Sequence, residues 1–230
     1  MHVSFFRVLT FSLILAFLVA GALWADPQRL AELSRPENAD KLVDLAKQGD
    51  PDACYLVGII AMQGGEKEQS RALLETGAAK GSLDCLAALG QAWEKGMFGE
   101  ASPTLALSLY LKAAEKGHGV AMLKLGNMYR EGSGIPQDYK RGFAWSGRAA
   151  RAGVRQAMIN LGLHYMMGWG TEKNLVKAFA VYYIAGVESP EAKAQAFLIY
   201  EKLTDQQRME AEVVMMEWEK IYPPPPKEEK

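Results

Sequence analysis

Histidine and cysteine are both scarce in this chain of 230 residues: three His (His2, His118, His164) and two Cys (Cys54, Cys85). Metal centres built on imidazole or thiolate need three or four convergent ligands, and the spacing of these five residues supplies no such set. There is no C-x-x-C pair, no H-E-x-x-H, no G-x-S-x-G turn, no S-x-x-K and no phosphate-cradling P-loop. An excess of charge of one sign is also missing, since 26 Lys and Arg stand against 27 Asp and Glu for a formal net charge of -1. Phosphate backbones are held by a basic excess or a basic stripe, so nucleic acid is excluded as a general partner. No catalytic, cofactor-binding or metal-binding residue is assigned.

Long apolar runs are confined to the amino terminus. Arg7 precedes Val8 to Val19, a nearly unbroken apolar stretch, and small residues follow at Ala20, Gly21, Ala22 and Ala25. This order predicts a secretory signal over residues 1–25, cut after Ala22 or Ala25, with an uncleaved membrane anchor as the alternative. No Cys follows the run, which argues against lipid attachment. The expected location is periplasmic or secreted. Export would place Cys54 and Cys85 in an oxidising compartment, where a disulfide between them is left open beside their reading as small core residues.

What the chain has in quantity is a repeat. Ala53, Cys85, Ala121 and Ala157 are separated by 32, 36 and 36 residues. Five positions later Gly58, Gly90, Gly126 and Gly162 recur, then Ala61, Trp93, Tyr129 and Tyr165, then the turn glycines Gly64, Gly96, Gly132 and Gly168. A glycine inside a helix costs roughly 0.5–1 kcal/mol relative to Ala, so a column of four requires close helix approach. The turn glycines are expected in left-handed backbone. Ser102, Asp138 and Asn174 follow as helix caps, and Leu73, Leu109, Trp145 and Val181 as the apolar column of each second helix. Gly81, Gly117 and Gly153 close three units; Ser189 takes that place in the fourth, directly before Pro190.

The predicted organisation is a capping segment at 26–49, a repeat array at 50–188 (50–81, 82–117, 118–153, 154–188), capping helices at 189–222 and a Pro-rich disordered tail at 223–230. Thr204 to Gln207 reads as a capping box that opens the last helix, which offers Ala211, Val214, Met215 and Trp218 inward.

Ala121 to Tyr139, A-x-x-x-L-G-x-x-Y-x-x-G-x-G-I-P-Q-D-Y, with Trp145, Ala149, Ala150 and Gly153 beyond, resembles the Sel1-like repeat, a relative of the tetratricopeptide repeat. The likeness runs over about residues 46–188. It implies an all-α chain, a curved α/α solenoid of about four helix-turn-helix repeats with N- and C-terminal capping helices. It also implies a scaffold or adaptor role, with the first helices lining a concave face. Exported bacterial relatives serve envelope assembly, signalling or host interaction. Cysteine-rich relatives described as penicillin-binding or β-lactamase-like carry cysteines in every repeat, so their activity is not transferred to a chain with two.

If first helices line a groove, its residues are those three before, one after and four after each column glycine. They are Tyr55, Ile59 and Met62; Ala87, Gln91 and Glu94; Leu123, Asn127 and Arg130; and Ile159, Leu163 and Met166. The expected ligand is a peptide segment of another envelope or secreted protein. His118, in the turn between repeats, is expected to be exposed, and His164 to be a hydrogen-bonded surface or groove histidine. The alternatives in other classes are an enzyme of the cell wall and a membrane-anchored structural subunit.

Overall fold

A computed structural model of the chain describes residues 27–187 and 189–222. The expected signal at 1–25 and the tail at 223–230 lie outside the described residues. All regular structure among the described residues is helical, in two compact units divided after His118. The first unit holds α1 (Pro27–Leu33), a 3-10 turn (Pro36–Asn38), α2 (Ala39–Lys47), α3 (Pro51–Gln63), α4 (Lys67–Ala79), α5 (Leu83–Glu94) and α6 (Pro103–Glu115). The second holds α7 (Gly119–Glu131), α8 (Tyr139–Arg151), α9 (Arg155–Met167), α10 (Leu175–Ala185), α11 (Pro190–Tyr200) and α12 (Asp205–Ile221).

Hairpins are the building blocks: α3 packs on α4, α5 on α6, α7 on α8 and α9 on α10, and α11 and α12 both pack on α10. The column glycines set how close the two helices of a hairpin come. A Cβ on Gly90 would lie 2.8 Å from the Tyr110 ring, and one on Gly162 would lie 2.8 Å from the Tyr182 ring. On Gly58 it would meet Leu74 at 2.9 Å, and on Gly126 the Ser146 hydroxyl at 2.8 Å. The partner column is therefore Leu74, Tyr110, Ser146 and Tyr182, one residue beyond the apolar column read from the sequence. Tyr110 and Leu74 are wholly buried, and each such side chain contributes about 2–3 kcal/mol of apolar transfer energy.

At the front of unit 1, Leu30, Leu33, Leu42, Ala46, Ala53, Leu56 and Val57 form one cluster, so α1 and α2 pack onto the α3 hairpin. Arg29 adds an ionic clasp to Asp50 and to Asp52, the latter at 2.7 Å. Burial alone would raise the Asp50 carboxyl, but the N–H of Ala53 and the Arg29 guanidinium outweigh it and hold it below its ordinary value.

Caps follow the sequence in part. Asp138, Asn174 and Thr204 accept from the backbone N–H three residues on, Thr204 in a full capping box with Gln207. Ser102 makes no such bond; Pro103 at the first helical position has no N–H to satisfy there. Ser189, where a closing glycine was due, caps α11 by accepting from the N–H of Ala192 at 3.2 Å. Gly96, Gly132 and Gly168 are left-handed as expected, whereas Gly64 is right-handed and its neighbour Gly65 makes the turn at φ 79°. The first repeat is four residues shorter, and its loop reaches Lys67 with one glycine displaced.

The disulfide left open above is not formed: Cys54 and Cys85 are free and buried. They share a core cluster with Leu74, Ala88 and Leu89, beside Gly77 of α4. A Cβ on Gly77 would fall 2.4 Å from the Cys85 sulfur and 3.0 Å from Cβ of Cys54. The thiols turn to different acceptors, Cys54 to the carbonyl of Ala46 at 3.5 Å and Cys85 to that of Pro51 at 3.8 Å. Burial pushes the Cys85 thiol up to about 12 and raises that of Cys54 as well.

Replacing Gly162 by Ala forces the Tyr182 ring or the helix axis to move, since the added Cβ would lie 2.8 Å from that ring. Urea denaturation of Gly162→Ala is expected to show a loss of about 1–3 kcal/mol, whereas Gly147→Ala, whose added Cβ meets nothing nearer than 3.8 Å, is expected to be neutral or slightly stabilising.

Candidate functional site

First helices have one side committed to their own hairpin and one stripe left over. All eleven residues assigned to that stripe with non-alanine side chains are half-buried: Tyr55, Ile59, Met62, Gln91, Glu94, Leu123, Asn127, Arg130, Ile159, Leu163 and Met166. Ala87 is buried. Half-burial is what a shallow helical face gives, and the two units differ in what they do with it.

In unit 1 most of the stripe is spent on packing. Tyr55, Ile59 and Met62 lie against the cysteine cluster, and burial pushes the Tyr55 phenol up to about 12. Glu94 turns back into its own hairpin, where its Oε2 accepts the Tyr110 hydroxyl at 2.7 Å. Burial first, and then that carboxylate, raise the Tyr110 phenol far above its usual range. Gln91 is the remaining polar member there.

In unit 2 the stripe carries a polar network. Asn127 Oδ1 accepts from Nδ2 of Asn160 at 2.7 Å and from Nη2 of Arg130 at 3.4 Å. Arg130 also pairs with Glu131, and its carbonyl accepts from Gln137 Nε2 at 2.7 Å. Its Nε is buried without a partner. Leu123, Ile159, Leu163 and Met166 frame this network with half-buried apolar surface. Asn160 was not read from the sequence. It sits two residues before Gly162 on the buried side, where an amide is retained only with a partner, and Asn127 is that partner.

Both histidines of the described chain are more buried than expected. His118 is enclosed, with Nε2 3.2 Å from Oδ1 of Asp84, itself buried. A turn between repeats is ordinarily wet, but this one folds back over α5 to meet that carboxylate. His164 is wholly buried. Its Nδ1 lies 2.7 Å from the Trp169 carbonyl, so Nδ1–H donates and Nε2 keeps a lone pair that has no partner. The rings of Phe143 and Trp169 pack on it edge-on at 5.9 and 6.4 Å. Burial lowers its pKa; the Trp169 carbonyl opposes this, and the Arg130 charge lowers it further. Nearby, Tyr139 stacks on Trp169 at 5.4 Å, and Gly170 lies so close that a Cβ would meet the Tyr139 carbonyl.

Donors and acceptors in a fixed arrangement, framed by apolar side chains, can hold an extended or helical chain. Among the described residues no three His, Cys, Asp or Glu are grouped to hold a metal ion, and no helix is long and apolar enough to cross a membrane.

Comparison with known proteins places these hairpins. The Sel1 repeat matches residues 83–118, 119–154 and 155–185, one residue later at each start than the boundaries read from the glycine columns. The chain is 34% identical over 108 residues to the chitin synthase regulator SKT5 of Saccharomyces cerevisiae, covering 46% of this chain and 16% of the yeast protein. It is 30% identical over 161 residues to protein sel-1 homolog 2 of Rattus norvegicus, covering 68% of this chain and 21% of that one. It is similar in structure to a protective antigen of uropathogenic Escherichia coli strains that displays an SLR fold, with 27% identity and a TM-score of 0.74 over 86% of this chain and 44% of the other. The fold class is thus that of the α/α solenoids, and the curated relatives are several times longer than this chain.

Burial lowers the folded-state pKa of His164, so below the ordinary value of 6.5 an unfolded chain takes up a proton more readily than the folded chain does. Stability at this site is full above that value and is lost as pH falls below it towards the lower folded pKa. Denaturation curves between pH 7.5 and 5 are expected to show this slope in the wild type and a flatter one in His164→Gln.

Proposed function

The chain belongs to the Sel1-repeat family, and from that premise we propose that it is an exported, non-enzymatic scaffold or adaptor that binds another envelope or secreted protein. Sel1-repeat proteins generally mediate protein–protein interactions. The observation that carries the reading for this chain is the Asn127–Asn160–Arg130 network on the half-buried stripe of unit 2. Amides and a guanidinium held in place by their neighbours can fix the register of a bound segment at little entropic cost, and Leu123, Ile159, Leu163 and Met166 receive its apolar side chains. His118 meets Asp84, Nδ1 of His164 meets the Trp169 carbonyl, and the thiols lie in the core. Of the relatives named above, the yeast protein is named as a regulator of chitin synthase. Export rests on the residue pattern of positions 1–25.

Two measurements test this. Asn127→Ala combined with Arg130→Ala, which stays helical but melts somewhat lower because Asn160 Nδ2 loses its acceptor, is expected to lose the partner that the wild type cross-links to in envelope fractions; equal yield from both would reject the stripe as the site. Intact mass of the protein recovered from the host is expected to begin at Leu23 or Asp26, and an intact Met1 would overturn cleavage.

A further inference from the structure

The face of α12 that looks away from the stack is not a polar surface. Ala211, Val214, Met215 and Trp218 turn inwards, Ala211 wholly buried and Trp218 5.8 Å from the Tyr165 ring. At 100° per residue, the opposite side presents Met209, Val213 and Met216 in line. They are 64, 54 and 60% exposed, well beyond the half-burial of the stripe on the first helices. Both borders of this line are acidic and exposed, Glu212 and Glu219 on one side, Glu210 and Glu217 on the other. Lys220 follows Met216 one turn on. Arg208, the other cation of α12, faces inwards and is paired with Asp205 at 3.1 Å.

An apolar line with acid on both borders discriminates among occupants. A second copy related by a twofold axis would set acidic border against acidic border, a like-charge cost along the whole contact. An anionic bilayer is repelled for the same reason. A helix whose apolar face is edged by Lys and Arg satisfies both features at once, and two of the three central side chains are methionines, flexible enough to fit apolar surfaces of varied shape.

We propose that the outward face of α12 docks an amphipathic helix whose apolar stripe is bordered by lysines and arginines. This surface is separate from the Asn127–Arg130 network and does not depend on it.

The test uses the whole protein and two synthetic helices, one with a Leu face and Lys elsewhere, the other with the same Leu face and Glu in place of Lys, titrated calorimetrically at about 0.15 M salt. The Leu/Lys helix is expected to bind and the Leu/Glu helix not to. Met209→Gln with Met216→Gln, both outward, is expected to weaken binding by about tenfold with melting unchanged. Glu212→Lys with Glu219→Lys is expected to shift preference to the Leu/Glu helix. Asn127→Ala with Arg130→Ala is expected to leave peptide binding intact, which separates this surface from the site of the preceding section. Equal affinity of wild type and the double Gln variant would reduce the effect to bulk charge and overturn the proposal. So would a dimer of the free protein that the double Gln variant dissolves, or competition by anionic vesicles.

Discussion

Everything in this chain rests on one contact made four times: a helix backbone with no side chain at one point, and the side chain of the next helix set into that point. Gly90 receives the Tyr110 ring and Gly162 the Tyr182 ring, while Gly58 receives Leu74 and Gly126 receives Ser146. The contact fixes the spacing within a hairpin and therefore which positions of the first helix are covered. The stripe that carries Asn127 and Arg130 is what this geometry leaves uncovered.

The same contact adjusts its neighbours. With Tyr110 laid on Gly90, its hydroxyl reaches Glu94 one turn further along α5, and that carboxylate is withdrawn from the stripe. The Gly126 hairpin receives the small Ser146 instead, and Gly142 of α8 also comes close to α7, where its Cβ would lie 3.2 Å from the Arg130 N–H. The backbone under Arg130 is thus pressed close to α8 while its head joins Asn127 and Glu131. Differences between repeats in one packed residue become differences in what each repeat shows on its stripe.

The hairpins, the glycine columns and the capping box at Thr204 were legible in the residues, because each is a local rule about backbone geometry. The partner of the glycine column was not. Leu73 and Leu74, or Val181 and Tyr182, are both apolar, and one residue of shift turns a helix face by 100°, a choice only the packed structure makes. Ser146 hid the column further, since a hydroxyl does not look like a core residue. His118 escaped for a different reason: its partner Asp84 lies 34 residues away, and nothing in a turn sequence announces that it folds inwards. Asn160 and the Trp169 carbonyl likewise acquire their roles from residues in other helices or turns. The positions of the stripe follow from helical spacing alone, and what its members are bonded to does not.

Gly77 carries a consequence for how this sequence can change. Its missing side chain is the room in which Cys85 and Cys54 sit, so the three positions are interlocked. An Ala at position 77 would force the Cys85 sulfur to move and would press on Cβ of Cys54 as well, so a smaller residue at 85 relieves the closer of the two contacts. The order of substitutions matters: a change at Cys85 made first leaves more room for a later change at Gly77 than the reverse order does. A small residue of no chemical function thereby acts as a gate on the drift of its own core.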